Sequence, residues 1–212
     1  MDVNRLIEIT GVAAKLLYRL KDENDIIENY EESLVFPTKR QKRGIIKRVS
    51  EQELRLLFCK ILFEQKIFFC IETPTIEKYR LSKSKDKDHQ INIGVSARTD
   101  ITLFKINNKK IEREWNIEFK EGTNFKGISK DIYKLLVEKQ NGAMIHLVET
   151  HDKNTMKNIF DKYRYCLNRY MIYESNSEIK TYLFIFILMK TEEMITMSGN
   201  IKDVFGRLNS YL

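Results

Sequence analysis

Apolar side chains recur through the first twenty residues at Leu6, Ile9, Ala13, Leu16, Leu17 and Leu20, the three-and-four spacing of one helical face. This predicts an amphipathic helix over residues 3–21. Residues 21–48 are mostly polar and read as a short helix and a connection. At Ser50 a helix start appears, because Ser50 followed by Glu53 is the pattern of a reciprocal cap. Leu54, Leu57, Phe58, Ile61 and Leu62 carry a core-facing stripe from there to about Gln65.

Beyond that point the period changes from helix to strand. Residues 67–71, 91–106 and 111–121 are rich in β-branched and aromatic side chains, and Asn107-Asn108 suits a hairpin turn between the last two. Ser129 caps a further helix with Ile132, Tyr133, Leu135 and Leu136 as its apolar positions. Gly142 leads into a buried strand over 143–148. Met156, Ile159, Phe160, Tyr163, Leu167 and Tyr170 mark a longer helix, residues 182–189 a strand, and Ile201, Val204, Phe205 and Leu208 a closing helix. A three-stranded meander followed by alternating helices and strands implies an α/β fold, a three-layer α/β/α sandwich with a central mixed sheet. A chain of 212 residues supports one substantial core. Residues 1–49 read as an N-terminal helical extension with a basic connection, and 50–212 as the core domain.

Composition narrows the class. A hydrophobic fraction of 42% with 32% charged residues is that of a folded globular chain, not a disordered one. The amphipathic first twenty residues do not read as a signal peptide, and the most apolar run, 182–189, is too short to span a bilayer. Cys59, Cys70 and Cys166 are widely spaced in apolar segments, which suits reduced, buried thiols in a cytoplasmic protein. The net charge of +7 points to a polyanionic partner. Lys39, Arg40, Lys42, Arg43, Lys47 and Arg48 cluster with no acid among them. They read either as a phosphate-contacting patch or as a solvated loop.

Three charges stand where local propensity disfavours them. Asp100 lies in the middle of the strand-like segment Arg98-Thr99-Asp100-Ile101-Thr102, and Glu118 and Lys120 lie inside Ile117-Glu118-Phe119-Lys120. Alternation puts Glu118 and Lys120 on one face, with Trp115, Ile117 and Phe119 on the other. The hairpin brings Asp100 onto the neighbouring strand. Conflicts of this kind between propensity and charge concentrate at functional sites.

Asp100, a gap holding a hairpin, then Glu118-Phe119-Lys120 resembles the signature of the PD-(D/E)xK, restriction-endonuclease-like nucleases, with Thr99 in place of the proline. The resemblance covers residues 50–150 and matches their element order. It implies an endonuclease that hydrolyses phosphodiester bonds, with Mg²⁺ (or Mn²⁺ as substitute) held by Asp100, Glu118 and the Phe119 carbonyl. Such hard oxygen donors suit that ion. It also implies that Lys120 orients the attacking water. DNA is the expected substrate because most of the family acts on DNA, and restriction, defence and repair are its usual settings. A homodimer is expected where one active site must cut two strands. The alternative is an inactive member of the fold that binds nucleic acid or serves as a scaffold.

Related nucleases often carry a glutamate on the first core helix, which makes Glu53 a further catalytic candidate, although the cap already accounts for it. Glu64 lies on the same helix. Lys130 and Lys134, on the helix after the motif, are candidate phosphate contacts on an exposed face. His146, in an apolar strand, reads as a core histidine. No cysteine–histidine set suggests zinc, and no glycine-rich loop suggests a nucleotide.

Overall fold

The computed structural model describes residues 1–22, 38–41, 44–47, 49–81, 89–91, 93–149, 152–174 and 180–211, with backbone alone for 20–22, 38–41 and 44–47. Its elements are α1 (Val3–Asp22), β1 (Thr38–Gln41), β2 (Gly44–Lys47), α2 (Glu51–Glu64), β3 (Phe69–Arg80), β4 (Gln90–Ile91), β5 (Val95–Asn107), β6 (Lys110–Glu121), α3 (Phe125–Val137), β7 (Asn141–Val148), α4 (Lys153–Tyr170), β8 (Tyr182–Leu188), β9 (Glu193–Gly199) and α5 (Ile201–Ser210). Seven strands form one mixed sheet in the order β4-β3-β5-β6-β7-β8-β9. The pairs β6–β7 and β7–β8 are parallel, and the others are antiparallel.

Helices cover both faces, as the alternation of apolar positions requires. On one face Ile101, Leu103, Ile117, Phe119, Ile145 and Ile185 pack with Leu6, Ile9 and Leu17 of α1 and Leu54, Phe58 and Leu62 of α2. On the other, Met144, Phe184, Phe186 and Leu188 meet Ile132 and Leu136 of α3, Phe160 and Tyr163 of α4, and Val204 of α5. β7 and β8 are therefore buried on both sides and read as near-continuous apolar runs. α1 shares a continuous core with α2 and the sheet.

Several local readings are corrected. Thr38–Gln41 and Gly44–Lys47 pair antiparallel as β1 and β2 within the stretch read as a connection; Arg40 lies on β1, while Lys42 and Arg43 lie outside the described residues. α3 is capped by Asn124, whose side chain accepts from the Lys126 amide, so it starts one turn before Ser129. The hairpin turn sits on Asn108 and Lys109, both with positive φ, one residue beyond the expected pair. β3 runs well past residue 71 and contains Pro74, tolerated where the ladder is irregular between Pro74 and Lys78. β9 is an edge strand whose alternation is broken by polar residues, so its sequence carries no strand period. Only Cys166 of the three cysteines is buried; Cys70 is exposed on β3, near the sheet edge, and Cys59 is half-buried. No helix among the described residues is long and apolar enough to cross a membrane.

His146 lies on β7 against α4, fully buried, with Nδ1 2.9 Å from the Tyr163 hydroxyl. Burial pushes its imidazole down from 6.5 to about 4. The ring folds neutral, and between those two values the unfolded chain binds the extra proton. Its contribution is thus complete above pH 6.5 and lost as pH falls toward 4. Urea unfolding should show stability declining over that window, by at most about 3 kcal/mol. His146→Gln, which keeps a partner for Tyr163 but does not titrate, should flatten the profile. An equal decline in both proteins would refute the assignment.

Candidate active site

The site forms where β5 and β6 part. Their ladder runs from Asn107↔Lys110 to Ile101↔Ile117, with a bulge between Leu103 and Phe104. One residue beyond Ile101, the Asp100 carboxylate replaces the strand backbone as partner, its Oδ2 accepting from the Phe119 amide at 2.7 Å. In an antiparallel pair the amide and carbonyl of one residue point the same way. The Phe119 carbonyl is therefore directed to the side of β6 on which Asp100 lies. Ile117 and Phe119 belong to the α1–α2 core, so Glu118 and Lys120 face α3, as alternation requires.

Glu118 is 2% exposed, and its Oε1 lies 2.5 Å from Lys134 Nζ on α3, an ion pair without good hydrogen-bond angles. Lys134 Nζ also lies 3.2 Å from Asp131 Oδ1 and donates to the Arg98 carbonyl at 2.8 Å. Lys120 Nζ turns to the other oxygen of Asp131, at 2.8 Å. Gly127 makes room for it: a Cβ there would sit 3.0 Å from that Nζ. From α2, Arg55 Nη1 bridges Asp100 Oδ1 at 3.2 Å and Glu72 at 2.8 Å.

Electrostatically the cluster is short of positive charge. Asp100, Glu118, Asp131, Glu51 and Glu121 interact there with Lys120, Lys134 and Arg55. Burial pushes the Asp100 carboxyl up, opposed by the Phe119 amide and helped by Asp131. Burial likewise pushes Glu118 well above the usual range, against the pull of Lys134. Burial alone would lower both lysines, but Asp131 carries Lys120 above its ordinary value, and Glu118 with Asp131 does the same for Lys134. Glu51 is raised by its own burial, opposed by Lys120 and reinforced by Asp100.

Among the described residues, no three or more His, Cys, Asp or Glu side chains converge as a metal-holding group. Magnesium does not require such a cage: one or two carboxylates, with waters and substrate phosphate, are its usual ligands. Asp100, Glu118 and the Phe119 carbonyl are hard donors of that kind, in a cluster with more acids than bases. The donor chemistry therefore suits a small divalent cation.

The structure thus gathers Asp100, Glu118, Phe119 and Lys120, adds Lys134 through its ion pair with Glu118, and leaves Glu53 and Lys130 outside the cluster. Glu53 is engaged at the helix cap, its Oε2 accepting from the Ser50 amide at 2.8 Å and from the Ser50 hydroxyl. The acid of α2 that interacts with the site is its neighbour Glu51. Lys130 is exposed on α3. Lys134, expected on an exposed face, is 2% exposed and belongs to the charge cluster. Sequence reasoning missed Asp131, Arg55 and Glu51. A signal existed for the first, since Asp131 stands three residues after Ile128 and four before Leu135, on the apolar face of its helix. Comparison with protein-family models, with curated proteins and with solved structures gives no match.

The cap assignment for Glu53 is tested by Ser50→Ala and Glu53→Gln. Each should cost about 1 kcal/mol in urea unfolding, with a double variant losing less than the sum, and neither should change divalent-cation binding. Loss of cation binding in Glu53→Gln alone would return Glu53 to the site.

Proposed function

We propose that this chain is a divalent-metal-dependent nuclease of the PD-(D/E)xK kind that hydrolyses phosphodiester bonds in DNA. The observation that carries the reading is the Asp100 carboxylate at the parting of β5 and β6, bonded to the Phe119 amide with Glu118 and Lys120 on the same face. The succession α2, β3, the two-residue β4, β5, β6, α3, β7, with β3, β5 and β6 antiparallel and β7 parallel to β6, supports it as a restriction-endonuclease-like core.

Asp100, Glu118 and the Phe119 carbonyl would hold Mg²⁺ or Mn²⁺. When bound, that ion supplies charge stabilisation at the scissile phosphate and a more acidic water. Asp131 fixes the Lys120 ammonium at 2.8 Å, which keeps it extended toward α3 and ready to orient the attacking water. Arg55 holds Asp100 from the opposite side, so that its carboxylate does not rotate away from Phe119. In-line attack by water then leaves a 5′-phosphate and a 3′-hydroxyl, as the resemblance implies.

A second reading has one observation in its favour. Lys120 and Glu118 are already ion-paired with α3, as a purely structural network would be. That is the arrangement expected of an inactive nuclease fold serving as a nucleic-acid-binding or scaffold protein. Plasmid nicking decides between the two. Cleavage should require Mg²⁺ or Mn²⁺, stop with chelator and disappear in Asp100→Asn, whereas binding without any metal-dependent cleavage would favour the second reading.

Chemistry and affinity should also separate. Lys120→Ala should abolish nicking and leave DNA affinity nearly intact. Neutralising Arg40, Lys42 and Arg43 together should weaken binding and lower its salt dependence, since each lost phosphate contact removes a slope of about one. Binding titrations across a salt series check both. An unchanged slope in the triple variant would make the basic stretch a solvated segment.

A further inference from the structure

The Lys134 ammonium is placed unlike an ordinary helix lysine. Its Nζ lies 2.5 Å from Glu118 Oε1 and 3.2 Å from Asp131 Oδ1 as ion pairs, and donates to the Arg98 carbonyl at 2.8 Å. It is the only ion-pair partner of Glu118 among the described residues, and both side chains are 3% exposed. Two of these three partners, Asp131 and Arg98, are not donors in the proposed metal set. Lys120, by contrast, meets Asp131 and makes no ion pair with Glu118 among the described residues.

We propose that Lys134 is a tethered positive charge that competes with the divalent cation for Glu118, and that Asp131 and the Arg98 carbonyl retain its ammonium when the cation binds. This rests on the reading of Asp100 and Glu118 as metal ligands. A carboxylate buried this deeply is costly without a counter-charge, so in the metal-free protein one must come from the chain itself. Lys134 supplies it from a helix that packs on the sheet face beside Glu118. When a divalent ion takes over Glu118, Lys134 loses one partner and keeps two, so α3 need not shift. Lys134 is then a positioning residue that tunes cation affinity, and Asp131 links it to Lys120.

Mn²⁺ binding to the full chain, followed by electron paramagnetic resonance, tests this together with thermal unfolding in the presence and absence of Mn²⁺. Lys134→Met should tighten Mn²⁺ by about tenfold or more, because the competing charge in direct contact is gone, and should make folding depend strongly on Mn²⁺. Lys120→Met removes an equal charge from the same cluster without touching the Glu118 pair, and should change the affinity by no more than about threefold. Lys134→Gln, which keeps a donor for Arg98, is the second variant should the first fold poorly. A variant that folds only with Mn²⁺ supports the proposal. Equal gains for Lys120→Met and Lys134→Met would overturn it, since general electrostatics would then suffice. So would failure of both Lys134 variants to fold even with Mn²⁺. Glu118→Gln separates the underlying reading: wild-type Mn²⁺ affinity there would mean that Glu118 is no ligand, and the metal-site assignment would fall first.

Discussion

A carboxylate and an ammonium placed together between a sheet and a helix set the terms for everything around them. Glu118 and Lys134 are almost wholly removed from water, and desolvating two ions costs several kcal/mol each before any attraction is returned. Such a pair persists only if its geometry is fixed from several directions. Here β6 fixes Glu118 through its parallel pairing with β7, opposite Met144, and α3, packed through Ile128, Ile132 and Leu136, fixes Lys134 above it. Asp131 and the Arg98 carbonyl complete the ammonium's shell. Apolar packing of α3 and polar satisfaction of the cluster are one requirement.

The same logic explains why the cluster sits at the end of a ladder. Within a continuous sheet the Phe119 amide would belong to backbone pairing. Where β5 and β6 separate, a side chain has to take it, and Asp100 does so at 2.7 Å. Separation of the strands thus leaves the Phe119 amide to a side chain and gives the Asp100 carboxylate a fixed orientation. Arg55 joins the first core helix to this point, and Glu72, in a left-handed backbone conformation on β3, receives the other end of that bridge.

Much of this was legible in the residues. The change of period after α2, the apolar runs of β7 and β8 and the alternation through Glu118 and Lys120 follow from side-chain pattern alone, and they place the right faces inward. Asp100, Glu118 and Lys120 stood out because charge is rare inside strands. What failed has common physical causes. Lys134 looks like any helix lysine until the partner that buries it is known, and that partner lies sixteen positions away on a strand. Glu51 and Glu53 flank the same cap, and only the helix's angle to the sheet decides which one turns toward β6. β9 depends on its pairing with β8 more than on local preference.

The two-residue turn at Asn108 and Lys109 has a consequence for the order of assembly. A tight hairpin closes in roughly 1–10 μs, far sooner than a parallel crossover whose loop-closure cost must be met first. Asp100 and Glu118 therefore become neighbours when β5 meets β6, while Lys134 arrives only once α3 docks and β7 adds to the sheet. For that interval the chain carries two adjacent carboxylates with water as their main relief. Early pairing of this hairpin runs uphill in charge, and docking of α3 is the step that makes it durable.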